Sequence, residues 1–226
     1  MEKALQFLSG LSQNNDRAWF HAHKAQYQEA TAAFEALVGR LMDALRRVDG
    51  NIPQALPREL TFKLMRDTRF SHDKSPYHPA FRAHIGPSGK LPVPVGYYIM
   101  VSPGGRSFLG GGLFADMFKD VTARIRDAIA AQGDAWARIV SDPAFQAYFT
   151  TVRGTALKNV PRGYDPAHPQ AEYFKYKSFY VEYPLADAQV LDDGFVASAV
   201  QVFQAMQPFH TFLNQALEGF EMPKRA

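Results

Sequence analysis

The sequence predicts an α+β fold, with a mainly antiparallel central sheet of about five strands and helices at both ends of the chain. Segments that alternate apolar and polar residues cluster in the middle of the chain, whereas apolar residues at helical spacing dominate its two ends. Short links rich in Gly and Pro join the central segments, and such links favour antiparallel pairing. The length of 226 residues suits one large domain, so we expect residues 1–226 to form a single domain.

The N-terminal part of the chain is predicted to be helical. A short helix covers Glu2–Ser9, and Asn14 or Asn15 then offers a side-chain oxygen that caps a second helix. From residue 24 to residue 48 the pattern is strongly helical, because apolar residues recur there at intervals of three and four. These residues are predicted to form one buried face of a long helix.

Five segments are predicted as strands. The alternation of apolar and polar residues predicts the first two, Leu60–Arg66 and Ala80–Ile85, and a charged turn lies between them. Val95–Ser102 and Ser107–Leu109 are predicted to form a hairpin because a tight Pro-Gly-Gly link joins them. Phe179–Tyr183 alternates in the same way and is predicted as the last strand.

The later segments are mostly predicted as helices. Apolar spacing predicts a helix over Asp116–Ala131 and two shorter helical pieces over Trp136–Val140 and Pro143–Thr150. The last helix is predicted over Phe195–Leu217. Pro208 should kink this helix, because proline interrupts the helical hydrogen-bond ladder.

The composition excludes several kinds of protein. The chain has no Cys, which excludes a disulfide scaffold, a thiolate metal site and a cysteine nucleophile. Its formal net charge of +3 is only mildly basic, so any preference for anions must be local. No stretch reaches the ~18 apolar residues that a membrane-spanning helix requires. We therefore expect a cytoplasmic protein with no membrane partner.

One stretch of the chain concentrates charge. Residues 63–74 hold four cations and two carboxylates, at the predicted end of a strand and in the turn that follows. Arginine suits anion binding because its planar guanidinium matches the spacing of two anionic oxygens. One interpretation is therefore a ligand site, in which cations hold a phosphate or carboxylate, carboxylates orient these cations and a tyrosine donates a hydrogen bond. The cations are Arg66, Arg69 and Lys74, the carboxylates are Asp67 and Asp73, and the tyrosine is Tyr77.

The same stretch also has a purely structural interpretation. Arg66 and Arg69 can pair with Asp67, with Asp73 or with distant carboxylates, and such pairs lock a turn without binding any ligand. Clusters of charge often mark functional sites, but structural ion-pair networks produce the same pattern. Both interpretations stay open at the level of the sequence.

A loop nearer the C-terminus forms a second candidate site. The segment 157–169 is rich in Pro and Gly and carries Lys158, Arg162, Asp165 and His168. Loops held in shape on a rigid scaffold often carry function. If this loop folds over the charged stretch, the two would form a basic cleft. The alternative is a connector stiffened by proline, whose charged side chains are simply solvated.

Blocks along nearly the whole chain resemble one protein family. They are Phe7-Leu8, Asn14–Arg17, Trp19-Phe20, Arg66–Phe70, Asp73-Lys74 with Tyr77, Tyr97-Tyr98, Gly110–Leu113, Leu157-Lys158, Pro161–Tyr164 and His168-Pro169. Together they are similar to the bacterial and fungal family catalogued as domain of unknown function 2461. The resemblance implies one intact domain, but it does not imply a particular activity. The chain has Lys63 where the family usually has Arg, and Lys lacks the planar fork that grips an anion at two points.

Other motifs give weaker signals. His21 and His23 do not share a helix face, since residues two apart point in different directions, so no metal site is predicted. The glycines at 110–112 fit neither of the common nucleotide-binding patterns, and close backbone packing is the favoured interpretation. No Gly-x-Ser-x-Gly motif is present, and nothing in the sequence identifies a cofactor.

Three hypotheses of function follow. The leading one is a basic pocket that binds a small ligand bearing a phosphate or carboxylate, with turnover left open. If a reaction occurs, Asp73 or His168 is the candidate general base. The second hypothesis, less favoured because the net charge is modest, is binding or processing of nucleic acid. The third is a structural or interaction module without a ligand, which requires the charges of the stretch to pair with one another.

Overall fold

The computed structural model describes residues 1–114 and 119–222 and has an α+β fold. No helix within these residues is both long and apolar enough to cross a membrane. The chain divides into two compact units, which are described separately. The first consists of Met1–Ile85, Tyr98–Leu109 and Pro184–Gln201, and the second of the described parts of Gly86–Tyr97, Gly110–Tyr183 and Val202–Ala226.

Three helices open the first unit: α1 (Glu2–Gln13), α2 (Arg17–Ala22) and α3 (Lys24–Leu45). The N-cap of α2 is Asp16, whose carboxylate accepts a hydrogen bond of 2.8 Å from the backbone N–H of Trp19. The predicted cap was one of the two preceding asparagines. Asp16 takes this position because its carboxylate satisfies an N–H group that has no partner inside the helix.

The buried face of α3 confirms the helical spacing read from the sequence. Its apolar side chains are shielded from solvent, and the ring of Phe34 stacks on that of Phe81 with 5.3 Å between the ring centroids. Burial of this stripe is the main reason that the helix is stable, since isolated helices are marginal in water. The buried residues of α3 are Ala30, Phe34, Leu37, Val38, Leu41, Met42 and Leu45.

The sheet is antiparallel and has the order β1-β2-β3-β4. Its strands are β1 (Phe81–Ile85), β2 (Tyr97–Val101), β3 (Ser107–Leu113) and β4 (Phe179–Leu185). Each of the four overlaps a predicted strand. In all four strands the first, third and last residues are buried, which is why alternation in the sequence located them.

The predicted strand Leu60–Arg66 is wrong. Its first residue closes a short helix, α4 (Pro57–Leu60), which begins with Pro57, and proline is well suited to the first helical position. After α4 only isolated bridges follow, at Thr61 and Met65. The sheet therefore has four strands within the described residues, where about five were expected.

A change of register explains why this segment does not become a strand. Thr61 pairs with Ala83 and Met65 pairs with Tyr77, both antiparallel. Three residues lie between the paired positions on one side and five on the other, so a continuous ladder cannot form. Pro79 lies in the longer side and has no N–H group to donate to the partner segment.

The second unit contains the helices α5 (Lys119–Ala131), α6 (Gly133–Ser141), α7 (Pro143–Gln146) and α8 (Ala171–Phe174). The start that was predicted for α5, Asp116 with Phe118 in the first turn, lies outside the described residues. The core of this unit includes Trp136 of α6, which is fully buried. Its ring lies 5.1 Å from Tyr173, 6.2 Å from Phe179, 5.8 Å from Phe209 and 5.1 Å from Phe212.

Three further helices follow β4 along the chain, α9 (Asp187–Leu191), α10 (Phe195–Ala205) and α11 (Gln207–Ala216). The predicted continuous helix Phe195–Leu217 is divided into α10 and α11. Pro208 lies in the first turn of α11, where a missing N–H costs nothing, so it starts a new helix instead of kinking an old one.

Candidate functional site

Residues 64–78 of the first unit form a charged loop with a closed neck. The backbone N–H of His78 donates to the carbonyl of Leu64 over 2.7 Å, and the N–H of Arg66 donates to the carbonyl of Pro76 over 2.9 Å. These bonds join the two ends of the loop. The residues between them therefore form a loop whose two ends are fixed next to each other.

Tyr77 anchors the neck to the N-terminal helices. Its side chain is only 3% exposed, and its ring stacks on Phe20 with 4.1 Å between centroids. The side-chain amide of Asn15 bonds both backbone groups of Tyr77, donating to the carbonyl over 2.9 Å and accepting from the N–H over 3.1 Å. The amide of Asn15 thus pairs with the backbone of Tyr77 as a neighbouring strand would. The predicted hydrogen bond from Tyr77 to a ligand stays a prediction.

Arg66 and Asp73 form an ion pair inside the loop. The second guanidinium nitrogen of Arg66 donates to the hydroxyl of Ser71 over 3.3 Å, and Asp73 accepts the backbone N–H of Ser75 over 2.9 Å. Hydrogen bonds from Ser75 and then from Arg66 hold the pKa of Asp73 well below its usual range. The predicted role of Asp73 as a general base stays a prediction.

Arg69 and Asp67 form a second ion pair nearer the tip of the loop. The guanidinium donates to both carboxylate oxygens, with distances of 2.6 Å from Nη2 to Oδ2 and 3.0 Å from Nε to Oδ1. Hydrogen bonds from Arg69 lower the pKa of Asp67 to about 2. The two side chains are 78% and 58% exposed, so water screens the pair and it adds little to folding.

The tip of the loop exposes a large aromatic side chain. Phe70 is 95% exposed, and the guanidinium of Arg69 lies 5.8 Å from the centroid of its ring. The N–H of Ser71 donates to the carbonyl of Thr68 over 3.3 Å, which closes a turn with Arg69 and Phe70 at its corners. The ammonium of Lys74 donates to the same carbonyl over 3.0 Å.

Sequence reasoning missed two basic residues as site candidates, His78 at the end of the loop and Arg82 beyond it on β1. Burial lowers the pKa of His78, and the positive charges of Arg82 and Arg66 lower it further. Arg82 reaches back from β1, donates to the carbonyl of Lys63 over 3.2 Å and lies 5.6 Å from the ring centroid of Phe62. We call Arg66, His78 and Arg82 the basic cluster.

Two nitrogen atoms of the basic cluster are buried without a partner. The Nδ1 atom of His78 and the Nε atom of Arg82 make no hydrogen bond to any described residue. No ion pair among the described residues includes Arg82. The alternation of β1 could have identified Arg82. It places Phe81 and Ala83 on the buried face of the strand and Arg82 on the opposite face.

The positive charge of the protein is concentrated in this region. Residues 63–82 contain five Lys or Arg residues against two Asp residues, a local excess of three charges. The formal net charge of the whole chain is also +3, so the rest of the sequence is neutral overall. The basic residues are Lys63, Arg66, Arg69, Lys74 and Arg82.

Comparison with protein-family models finds one match that covers most of the chain. The family model described as "Conserved hypothetical protein (DUF2461)" matches residues 3–212. The chain belongs to the DUF2461 family. The match confirms the resemblance carried by the charged stretch and the blocks around it. No curated protein and no solved structure matches the chain.

The second candidate loop of this DUF2461 protein, residues 157–169, lies in the second unit. Tyr164 fastens it to α5, since its hydroxyl donates to Asp127 over 2.7 Å. Burial and then Asp127 raise the pKa of Tyr164 to about 12, so it stays a hydrogen-bond donor throughout the physiological range. Lys158 and Arg162 are exposed on this loop.

His168 lines a cavity of about 420 Å³ in the second unit of the DUF2461 protein. Its Nδ1 atom accepts the backbone N–H of Gln170 over 3.0 Å, so a neutral ring carries its proton on Nε2. The ring packs on Gly133, where an added Cβ would lie 2.9 Å from the Cε1 atom of His168. Asp134 and Arg138 also line this cavity.

The predicted site residues therefore fall into two groups. The charged loop contains the predicted site residues of the first unit. The loop 157–169 contains the predicted site residues of the second unit. The basic cleft formed by both loops stays a prediction. Among the described residues no three His, Asp or Glu side chains are placed to hold a metal ion. The first group is Arg66, Asp67, Arg69, Asp73, Lys74 and Tyr77, and the second is Lys158, Arg162, Asp165 and His168.

Proposed function

We propose that this DUF2461 protein binds a small phosphate- or carboxylate-bearing ligand at the basic cluster. The observation that carries the proposal is the pair of buried nitrogen atoms in His78 and Arg82 that have no hydrogen-bond partner among the described residues. The positive charges of Arg66 and Arg82 both act on His78 and lower its pKa. Buried polar groups are rarely left unpaired, and those that are need an explanation such as an absent ligand.

The electrostatics of the basic cluster favour an anion. Arg66 and Arg82 disfavour the charged form of His78, so the cluster stores repulsion that a bound anion would relieve. Guanidinium groups bind phosphate and carboxylate through two parallel hydrogen bonds. The ion pair with Asp73 holds Arg66 in place, which lowers the entropic cost of binding.

The remaining residues of the charged loop have supporting roles in this proposal. Asp67 orients Arg69, which together with Lys74 extends the positive surface towards the tip of the loop. Lys158 and Arg162 would add a second basic surface if the loop 157–169 takes part. We also propose that residues 1–226 form a single domain with helices at both ends of the chain. We propose a cytoplasmic location for this domain.

Thermal unfolding with inorganic phosphate, citrate and mononucleotides tests the proposal. A ligand at one hundred times its dissociation constant adds about 2.7 kcal/mol to the free energy of unfolding. In a chain of this size that raises Tm by about 5 to 10 °C. We expect this rise in the wild type and its loss in Arg82→Gln.

Arg58→Gln is the matched control. Arg58 is exposed on α4 in the same unit, so the substitution removes the same charge outside the basic cluster. The control should keep the full rise in Tm. An equal rise in Arg82→Gln would place the ligand elsewhere, and the absence of any rise in the wild type would reject the proposal.

A structural role is the second candidate function, because Arg66 pairs with Asp73 and Arg69 pairs with Asp67 within the loop. This role predicts that Arg66→Ala lowers the free energy of unfolding and that no anion stabilises the wild type. Ligand-dependent stabilisation separates the two candidates, since a structural network has nothing to bind.

A further inference from the structure

We propose that the ligand is a single-stranded nucleic acid, whose phosphates lie on the basic surface of the charged loop and one of whose unpaired bases stacks on Phe70. This inference rests on the proposed function, because it uses the same basic cluster to bind phosphate, but it replaces the small ligand with a phosphate polymer. It is carried by a different part of the loop, the tip, together with the distribution of charge around it.

Phe70 is held in an exposed position by its neighbours. The residue before it is tied to Asp67 through both the guanidinium and the backbone N–H, the latter over 3.1 Å. The residue after it, Ser71, donates its N–H to Thr68 and accepts a hydrogen bond from Arg66 on its hydroxyl. The turn therefore cannot easily collapse and bury the ring, which is 95% exposed.

An exposed ring next to a guanidinium is suited to a nucleobase. Bases stack on aromatic rings whatever their sequence, because every base presents a flat π-face. Arg69, 5.8 Å from the ring centroid of Phe70, can extend the stack or contact the adjacent phosphate. The closed turn limits the backbone entropy that is lost when Phe70 binds.

The charges around Phe70 distinguish nucleic acid from other partners. The local excess of three positive charges over residues 63–82 matches a chain of phosphates. The exposed large apolar side chains of the loop are Phe70 and Met65, whereas a stable protein interface needs roughly 20 residues on each side.

Fluorescence anisotropy with a labelled single strand of about 12 nucleotides tests the inference on the full chain. Phe70→Leu keeps apolar bulk but removes the π-face, and we expect roughly tenfold weaker binding, since one stacked base is lost. Leu91→Ala is the control, because Leu91 is also an exposed apolar side chain but lies outside the charged loop. The control should bind as the wild type does.

Salt dependence supplies a second readout. The logarithm of the association constant should fall linearly with the logarithm of salt concentration between about 50 and 200 mM. Loss of one phosphate contact in Arg82→Gln should reduce this slope by about 0.7, whereas Phe70→Leu should leave the slope unchanged.

The outcomes separate this inference from the proposed function. If phosphate raises Tm but the single strand binds no better than phosphate, or binds Phe70→Leu equally well, the inference is rejected and the proposed function stands. If neither the strand nor any of phosphate, citrate and the mononucleotides binds, both are rejected. Equal affinity for double-stranded DNA, or binding of phosphatidylserine vesicles in place of the strand, would also overturn the inference.

Discussion

Hydrogen bonds hold both the neck and the tip of the charged loop, but those of the neck are partly buried and those of the tip are exposed to water. At the neck Tyr77 is buried against Phe20, and the amide of Asn15 satisfies its two backbone groups. At the tip Arg69 grips Asp67 with short hydrogen bonds, but both side chains are in water. Polar interactions strengthen when water is excluded, so the neck stabilises the fold and the tip contributes little.

This difference separates stability from binding within one short segment. Substitutions at the neck should cost free energy of unfolding and affect binding only through the fold. Substitutions at the tip should leave the fold intact and act on ligands. The following substitutions test this division, in order of decreasing expected effect on stability.

The largest effect is expected for Tyr77→Ala. The change removes a buried ring that stacks on Phe20, and loss of such a side chain typically costs about 3–5 kcal/mol. Urea unfolding measures the loss. Phe70→Ala is the matched control at the tip and should change the free energy of unfolding by less than about 0.5 kcal/mol. Similar losses for the two variants would break the division between neck and tip.

A smaller loss is expected for Asn15→Ala. Without the amide, the N–H and carbonyl of Tyr77 both lose a partner in a partly buried position, which costs about 1–3 kcal/mol. Asn14→Ala is the control, because Asn14 is exposed and its side-chain amide donates to the carbonyl of Gly10 in α1. Chemical unfolding of both variants should rank Asn15 above Asn14, and the reverse ranking would contradict the anchoring role.

The smallest effect is a pH dependence at the tip. The pKa of Asp67 is lowered to about 2 in the folded protein, mainly by hydrogen bonds from Arg69. A depressed folded pKa contributes stability above the unfolded pKa of about 3.9, and this contribution is lost as the pH falls towards 2. The difference in Tm between wild type and Asp67→Asn should be small and positive at neutral pH and vanish near the pKa of about 2. A difference that grows on acidification would have the wrong sign.

Much of the fold could be predicted because its signals are local. The apolar stripe of α3 and the alternation in β1 and β4 reflect burial of one face, which the periodicity of the sequence records directly. The segment Leu60–Arg66 was predicted wrongly for the same reason. Its alternation is real, but its pairing depends on the register of a distant partner that Pro79 interrupts.

The candidate site was predictable only in part. The charged stretch and its family resemblance were visible from residue types and spacing, and the family is confirmed. Arg82 was missed because it joins the basic cluster from β1, sixteen positions beyond Arg66 along the chain. The anchoring of Tyr77 by Asn15 was equally hidden, since the two residues lie 62 positions apart.

The sequence by itself determined the α+β class, the family, the helical face of α3 and the concentration of charge between residues 63 and 82. These properties depend on composition and on neighbours a few residues apart. Only the tertiary structure decided that Tyr77 is buried, that Phe70 is exposed and that Arg82 approaches His78. The physical reason is that burial and electrostatic proximity arise from contacts between segments that are distant in sequence. Local sequence patterns do not encode how such segments come together.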